Sequence, residues 1–276
     1  MDVHRDFLIA CIAATNAQGV TEYQSRRFST YTGSLRELRD WLLANDCKDV
    51  CMESTGKYWF PVHNILEESC HVVVSHPKFV KAIKGKKTDK KDAQWIADLF
   101  KHDLVRGSFI PPKDIRQLRD LCRYWVKLSS YMTGEKNRAQ NCLTVSNFKL
   151  DDVFSNVFGK SASAITTQLL EHPGEQFDVA PFVDGRCKTP IAQIQEAVDG
   201  IFTYEQAEKL KIIRGHMDSL ERHKAELESL ILEIAQNYLP QIELLLTVPG
   251  IHDAFTAIRI LAEIGADMTV FDTSKH

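Results

Sequence analysis

The sequence predicts an α/β fold for roughly its first hundred residues, followed by a mostly helical remainder. Three observations carry this. Short runs with strand character, Phe7–Ala14, Val20–Thr30, Lys48–Thr55 and His71–Ser75, alternate with amphipathic helical stretches. Acids stand at the ends of those runs and at one helix start, the edge where an α/β sheet carries its chemistry. Beyond Pro112, apolar residues recur at spacings of three and four with little strand signal until the end of the chain. The expected organisation is a mixed sheet flanked by helices over 1–105, a long helical and coiled-coil region over 106–240, and a helix-hairpin-helix-like segment over 241–276.

Taken in order, FLIACIAA (Phe7–Ala14) and VTEYQSRRFST (Val20–Thr30) are joined by Thr15-Asn16-Ala17-Gln18-Gly19, the composition of a hairpin loop, with a third strand expected near Phe28. Asp2 lies just ahead of the first run, on or beside the first strand. A buried strand would ordinarily carry two or three more apolar residues there, so the start is expected to be clipped. Ser34–Asn45 reads as a helix with Leu35, Leu38, Trp41 and Leu42 on one face and Ser34 with Glu37 as a capping box. Lys48–Thr55 is a short central strand ending on Glu53, either a strand-end residue turning to solvent or a functional acid. A helix follows from Tyr58 to Leu66, then the strand HVVVS, closed by Pro77.

The stretch Lys78–Asp98, KFVKAIKGKKTDKKDAQWIAD, is the most informative. Seven lysines fall between Lys78 and Lys91 against the single acid Asp89, a local positive field suited to phosphate. Asp89 and Asp92 begin an amphipathic helix with Ala93, Ile96, Ala97 and Phe100. At i and i+3 they share a face, with Cβ atoms roughly 5–6 Å apart. Two carboxylates that close repel each other or share a cation, and oxygen ligands beside phosphate-attracting lysines suit Mg²⁺. A solvated helix start, with acids favoured by the helix dipole, is the plainer alternative. Asp2, Glu53, Asp89 and Asp92 are the four acids that can be placed on one edge of the sheet.

Composition bounds the partners. The 276 residues are 44% hydrophobic and 26% charged, ordinary for a globular chain, and the net charge of −3 hides a division. Residues 1–149 hold 24 Lys+Arg against 17 Asp+Glu, whereas 150–276 hold 10 against 20. The basic half points to nucleic acid and the acidic half to solvation or protein contacts. No apolar run is long enough to span a membrane and the charged start is no signal peptide, so a cytoplasmic protein is expected. The seven cysteines are scattered without a CxxC pair, which indicates neither a disulfide framework nor a zinc site.

After Pro111-Pro112 a long helix sets Ile115, Leu118, Cys122, Trp125 and Leu128 on an apolar face beside a stripe of Arg116, Arg119, Arg123 and Lys127, continued by Lys136 and Arg138. Such a stripe suits a sugar–phosphate backbone, though cations also serve solubility. With Lys84, Lys86, Lys87, Lys90 and Lys91 these are the expected nucleic-acid contacts. Residues 151–190 show only short helices and the His172-Pro173-Gly174 turn. From Tyr204, Leu210, Ile213, Met217, Leu220, Lys224, Leu227, Ile231 and Ile234 form a heptad seam with one polar position. Its partner is either the helix after Pro112 or a second copy of the chain. Gln241–Gly265 reads as helix, Pro249-Gly250 turn, and a second helix from Asp253, either a phosphate-binding helix-hairpin-helix or a plain corner.

Asp2 in MDVHRDF, Glu53 in MESTGKYW and the pair in KTDKKDA together resemble the DEDD transposases of the insertion-sequence one-hundred-and-ten family. LRDLCRYWVKL…EKNRAQNCL, PGI and LAEIG look like further pieces of it. The resemblance implies a RuvC-like amino-terminal domain within the ribonuclease H (RNase H-like) fold, with Asp2, Glu53, Asp89 and Asp92 as catalytic, Mg²⁺-binding acids. It implies DNA cleavage and rejoining through a serine of a second domain, a guide RNA from the same element, and a homo-oligomer through the coiled coil. The resemblance departs at the end. The chain stops at Phe271-Asp272-Thr273-Ser274-Lys275-His276, before the family's serine, so the nucleophile is expected to be absent and the chain inactive alone; Ser274 is not given that role. Two alternatives accompany this expectation: a RuvC-like junction endonuclease using metal and water, and a nucleic-acid-binding remnant.

Overall fold

The structure, a computed structural model, describes residues 1–80, 88–271 and 273. It divides into two compact units, Met1–Ile110 and Pro111–His276. Of the lysine-rich stretch, 81–87 lie outside the described residues, and with them Lys84, Lys86 and Lys87.

The first unit is mixed α/β. β1 (Asp2–Val3) pairs antiparallel with β2 (Phe7–Thr15), Asp2 opposite Ile9, and β2 pairs antiparallel with β3 (Thr21–Ser29) from Phe7↔Ser29 to Thr15↔Thr21. The hairpin forms because Asn16 Oδ1 accepts from the backbone N–H groups of Gln18 and Val20 while Gly19 takes a positive φ of 79°. Phe28 belongs to the same nine-residue β3, so the separate strand expected there does not exist. β4 (Asp49–Glu53) and β5 (His71–Ser75) pair in parallel, in register from Asp49↔His71 to Glu53↔Ser75. β1 abuts β4, where the Met1 amine donates to Cys51 O at 2.7 Å.

Helices cover both faces of these strands because successive β4 side chains point to opposite sides. Val50 and Met52 enter a core with Val3, Leu8 and Phe28, closed by Leu35, Leu38 and Leu42 of α1 (Thr32–Ala44) and Val62 and Leu66 of α2 (Trp59–Leu66). Cys51, between them, meets Val80 of α3 (Pro77–Val80) and Ile96 of α4 (Asp89–Lys101). The expected capping box at Ser34 is not formed: α1 begins two residues earlier, after Tyr31, and the Ser34 hydroxyl accepts from the Ser29 N–H at 3.2 Å.

The second unit is helical. α5 (Lys113–Val145) leads through α6 (Leu150–Val153), α7 (Lys160–Glu171) and α8 (Ile191–Ala197) to α9 (Tyr204–Ala235). α9 runs antiparallel to α5. Ile231 and Ala235 lie with Ile115, Leu118 and Cys122, Leu220 lies with Leu128 and Met132, and Leu210 and Ile213 lie with Ala139, Cys142 and Leu143. The heptad seam is therefore packed within the chain. Its polar member, Lys224, sits over the Trp125 ring at 4.3 Å, and Trp125 Nε1 donates to Glu228 at 2.7 Å. The short helices share a core built on Phe148, Leu150, Ile165 and Ile194. Gly200 is required there, since an added Cβ would stand 2.5 Å from Ser146 O. α10 (Leu239–Leu246) and α11 (Ala254–Ile264) form a helical hairpin whose turn holds Gly250 at φ 97°. All seven cysteines are free thiols. Among the described residues no helix is long and apolar enough to cross a membrane.

Candidate metal centre and nucleic-acid contacts

A cleft of about 660 Å³ in the first unit is lined by Asp2, His4, Glu53, Thr55, Lys78, Asp89 and Asp92, over a floor that includes Val3 and Ile96. Three elements bring the acids there. β1 supplies Asp2, the adjacent carboxyl end of β4 supplies Glu53, and the first turn of α4 supplies Asp89 and Asp92. α4 starts at that point because Thr88 is its N-cap, its hydroxyl accepting from the Lys91 N–H at 3.3 Å.

The acids differ in setting. Asp2 is only 9% exposed, Glu53 and Asp92 are half-buried, and Asp89 is exposed. Burial raises the Asp2 carboxyl above its ordinary 3.8, His4 draws it back down, and the negative charges of Asp89 and Asp92 push it up again. Glu53 Oε1 accepts from the Thr55 hydroxyl at 3.1 Å. His4 Nε2 lies 3.1 Å from Asp2 Oδ2 and 3.8 Å from Asp89 Oδ1, and one donor atom each from Asp2, His4 and Asp89 fall within 4.8 Å of one another. Glu53 and Asp92 line the same cleft without joining that tight group. His4 was not among the expected site residues. The signal for it was the Asp-x-His spacing, since residues two apart on an extended strand share a face.

The expected nucleic-acid contacts fall into different surroundings. Lys90 and Lys91 are exposed on the first turn of α4. On α5, Arg116 donates to Pro111 O at 2.8 Å, and Arg119 donates to Ala262 O at 2.8 Å and Glu263 O at 3.0 Å. Arg123 holds the Glu263 carboxylate with both Nε and Nη2, at 2.8 and 2.7 Å. The Arg119 and Arg123 guanidiniums cap and clamp the carboxyl end of α11. Lys127 is exposed, Lys136 lies 5.6 Å over the Phe158 ring, and Arg138 donates to the buried Glu135 at 3.0 Å. At the amino end of α11 the Asp253 carboxylate accepts from the Thr256 N–H at 2.8 Å. An acidic N-cap thus already satisfies one of the amides at the start of α11.

The class these features define is a mixed α/β domain that gathers acids from two strands and a helix start into one cleft. The family model for the IS110 DEDD transposase domain, described as Transposase, matches residues 1–147. The chain belongs to that family, which makes it a transposase, an enzyme acting on DNA. No curated protein matches the chain.

Proposed function

We propose that this chain serves DNA cleavage and rejoining during transposition, with Asp2, Glu53, Asp89 and Asp92 as the catalytic acids holding Mg²⁺ in the cleft. One observation carries the reading: carboxylates far apart in sequence line a single cleft, where Asp2 is retained nearly buried beside like charges. The donor set fits a divalent cation. Hard carboxylate oxygens predominate, and a bound cation would offset both the burial and the neighbouring charges of Asp89 and Asp92 that raise the Asp2 carboxyl. When bound, Mg²⁺ would offset the charge of a scissile phosphate and orient it. Around it, Thr55 orients Glu53 through its hydroxyl, the capped first turn of α4 fixes Asp89 and Asp92, and Lys78 on the cleft wall supplies positive charge toward DNA.

In this reading residues 1–105 are a RuvC-like, RNase H-like catalytic domain, supported by antiparallel β1–β3, parallel β4–β5, and the approach of β1 to β4. Residues 106–240 are the helical linker and coiled coil, and 241–276 begin a second transposase domain. DNA and a guide RNA meet the basic half through Lys90, Lys91 and Lys127, with Lys84, Lys86 and Lys87 continuing the lysine stretch. A homo-oligomer through α9 would use the flanks of the seam, where Ile212 and Leu230 on one side and Leu232 on the other are exposed, because the seam itself is taken by α5. The setting is the cytoplasm.

The test is divalent-metal calorimetry on the full chain, paired with Mg²⁺-dependent nicking of branched DNA. The wild type is expected to bind Mg²⁺ and Mn²⁺, and Asp89→Asn with Asp92→Asn to weaken both by about 10-fold or more. Nicking of branched DNA by this chain that is lost in Asp2→Asn would favour the junction-endonuclease reading, in which metal and water cut without a serine. Equal metal affinity in the wild type and the double variant would overturn the assignment.

A further inference from the structure

Among the described residues lining the cleft, His4 supplies the one imidazole, and the structure holds its ring in place. Its backbone N–H donates to Phe7 O at 2.9 Å, closing the turn between β1 and β2. The imidazole packs on Phe7 with ring centroids 4.7 Å apart and planes inclined by 32°. Phe7 also carries the Arg27 guanidinium, 3.9 Å from its ring centroid, so His4 and Arg27 both pack on Phe7 at the root of the hairpin. The bracing keeps Nε2 aimed between Asp2 and Asp89, 3.1 and 3.8 Å from their nearest oxygens. A histidine that merely faced solvent would need no such packing, and the side chain here is 39% exposed.

Resting on the reading of these acids as a divalent-cation centre, we propose that His4 Nε2 is a direct ligand of that cation, making the centre mixed nitrogen and oxygen. The consequence is selectivity. Mg²⁺ takes oxygen donors almost exclusively, whereas Mn²⁺, itself suited to carboxylates and the weakest binder of the first-row divalent series, accepts an imidazole beside them more readily than Mg²⁺ does. His4 therefore tilts the centre toward Mn²⁺ relative to an all-carboxylate site. The competing role for His4 is a positioning one, in which it holds Asp2 by a hydrogen bond and never meets the ion.

Spin-echo envelope modulation on the Mn²⁺-loaded full chain separates the two. Imidazole ¹⁴N modulation is expected in the wild type, altered by ¹⁵N-histidine labelling and lost in His4→Gln. By calorimetry, His4→Gln should weaken Mn²⁺ about 10-fold and Mg²⁺ less than about 3-fold. His4→Asn serves as the second variant if His4→Gln does not fold, and the labelled wild type is informative without either. Bound Mn²⁺ with no histidine nitrogen coupling would overturn the ligand role and leave the carboxylate centre standing. Failure of the wild type to bind Mn²⁺ at all would instead overturn the centre itself.

Discussion

Two carboxylates, one in each unit, are displaced in opposite directions. Asp2 is raised from 3.8, first by burial and then by the neighbouring charges of Asp89 and Asp92, against the pull of His4. Glu263 is lowered from 4.5, chiefly by its bidentate hydrogen bonds from Arg123 and further by the charges of Arg123 and Arg119, against some desolvation. Glu263 is an acid that the fold satisfies. Asp2 is an acid that the fold keeps nearly buried among like charges, and the free energy so stored is what a functional site holds in reserve. The contrast teaches that charge at helical spacing has no meaning until its neighbours are known. The same three-four pattern yields an acidic cleft around Asp89 and Asp92, and a structural clamp at Arg119 and Arg123.

The largest expected effect tests the clamp. Arg119 carries two hydrogen bonds to the last carbonyls of α11, groups with no intrahelical partner, and its side chain is 23% exposed. Arg119→Ala is expected to destabilise the chain by about 2 kcal/mol, because charged donors are lost and the acceptors stay partly buried. Arg119→Lys should recover little of it, since an ammonium cannot reproduce the fork that reaches both carbonyls. Urea unfolding measures both. A loss under about 0.5 kcal/mol in Arg119→Ala would place the arginine outside the structure's support and return it to the nucleic-acid face.

Next comes Asp2, with the opposite sign. Because its folded-state pKa is raised, the folded chain holds the proton more tightly than the unfolded one. That contribution favours folding below 3.8 and is lost as pH rises through the window above it, leaving a charged, buried Asp2 at neutral pH. Asp2→Asn is therefore expected to gain about 1 kcal/mol at pH 7 without metal, a gain that vanishes near pH 3. Divalent cations should raise the melting temperature of the wild type and not of the variant. Thermal unfolding across pH, with and without Mg²⁺, gives the whole comparison.

How much of this was legible in the sequence follows the same division. Glu53 could be placed because a strand of five residues ends on it, and Asp89 and Asp92 because Thr88 and the apolar spacing mark a helix start. Chemistry set at element ends survives the loss of tertiary information. His4 is not singled out by the sequence although its spacing from Asp2 is visible, because its approach to both Asp2 and Asp89 depends on the tertiary fold. The heptad seam announced a partner but not its identity, and α5 supplies it. That Arg119 and Arg123 of the basic stripe meet Ala262 and Glu263 is not visible in the sequence, because it depends on how α11 packs on α5. The Ser34 capping box failed to a local competitor, the Ser29 N–H in the preceding strand.

The smallest effect sharpens the comparison most finely. Arg123 and Glu263 make a well-formed bidentate pair, yet their side chains are 63% and 47% exposed. Solvent screening should hold their coupling, measured by a double-mutant cycle of Arg123→Ala and Glu263→Ala, below about 1 kcal/mol at neutral pH. Because the Glu263 pKa is lowered in the folded chain, that coupling is present above 4.5 and is lost as pH falls through the folded value. It should shrink further when ionic strength rises to about 1 M, where the screening length drops to roughly 3 Å. A coupling that persisted at pH 2 and high salt would mean the pair holds α11 by packing rather than by charge, and the opposition drawn between Glu263 and Asp2 would lose one of its two sides.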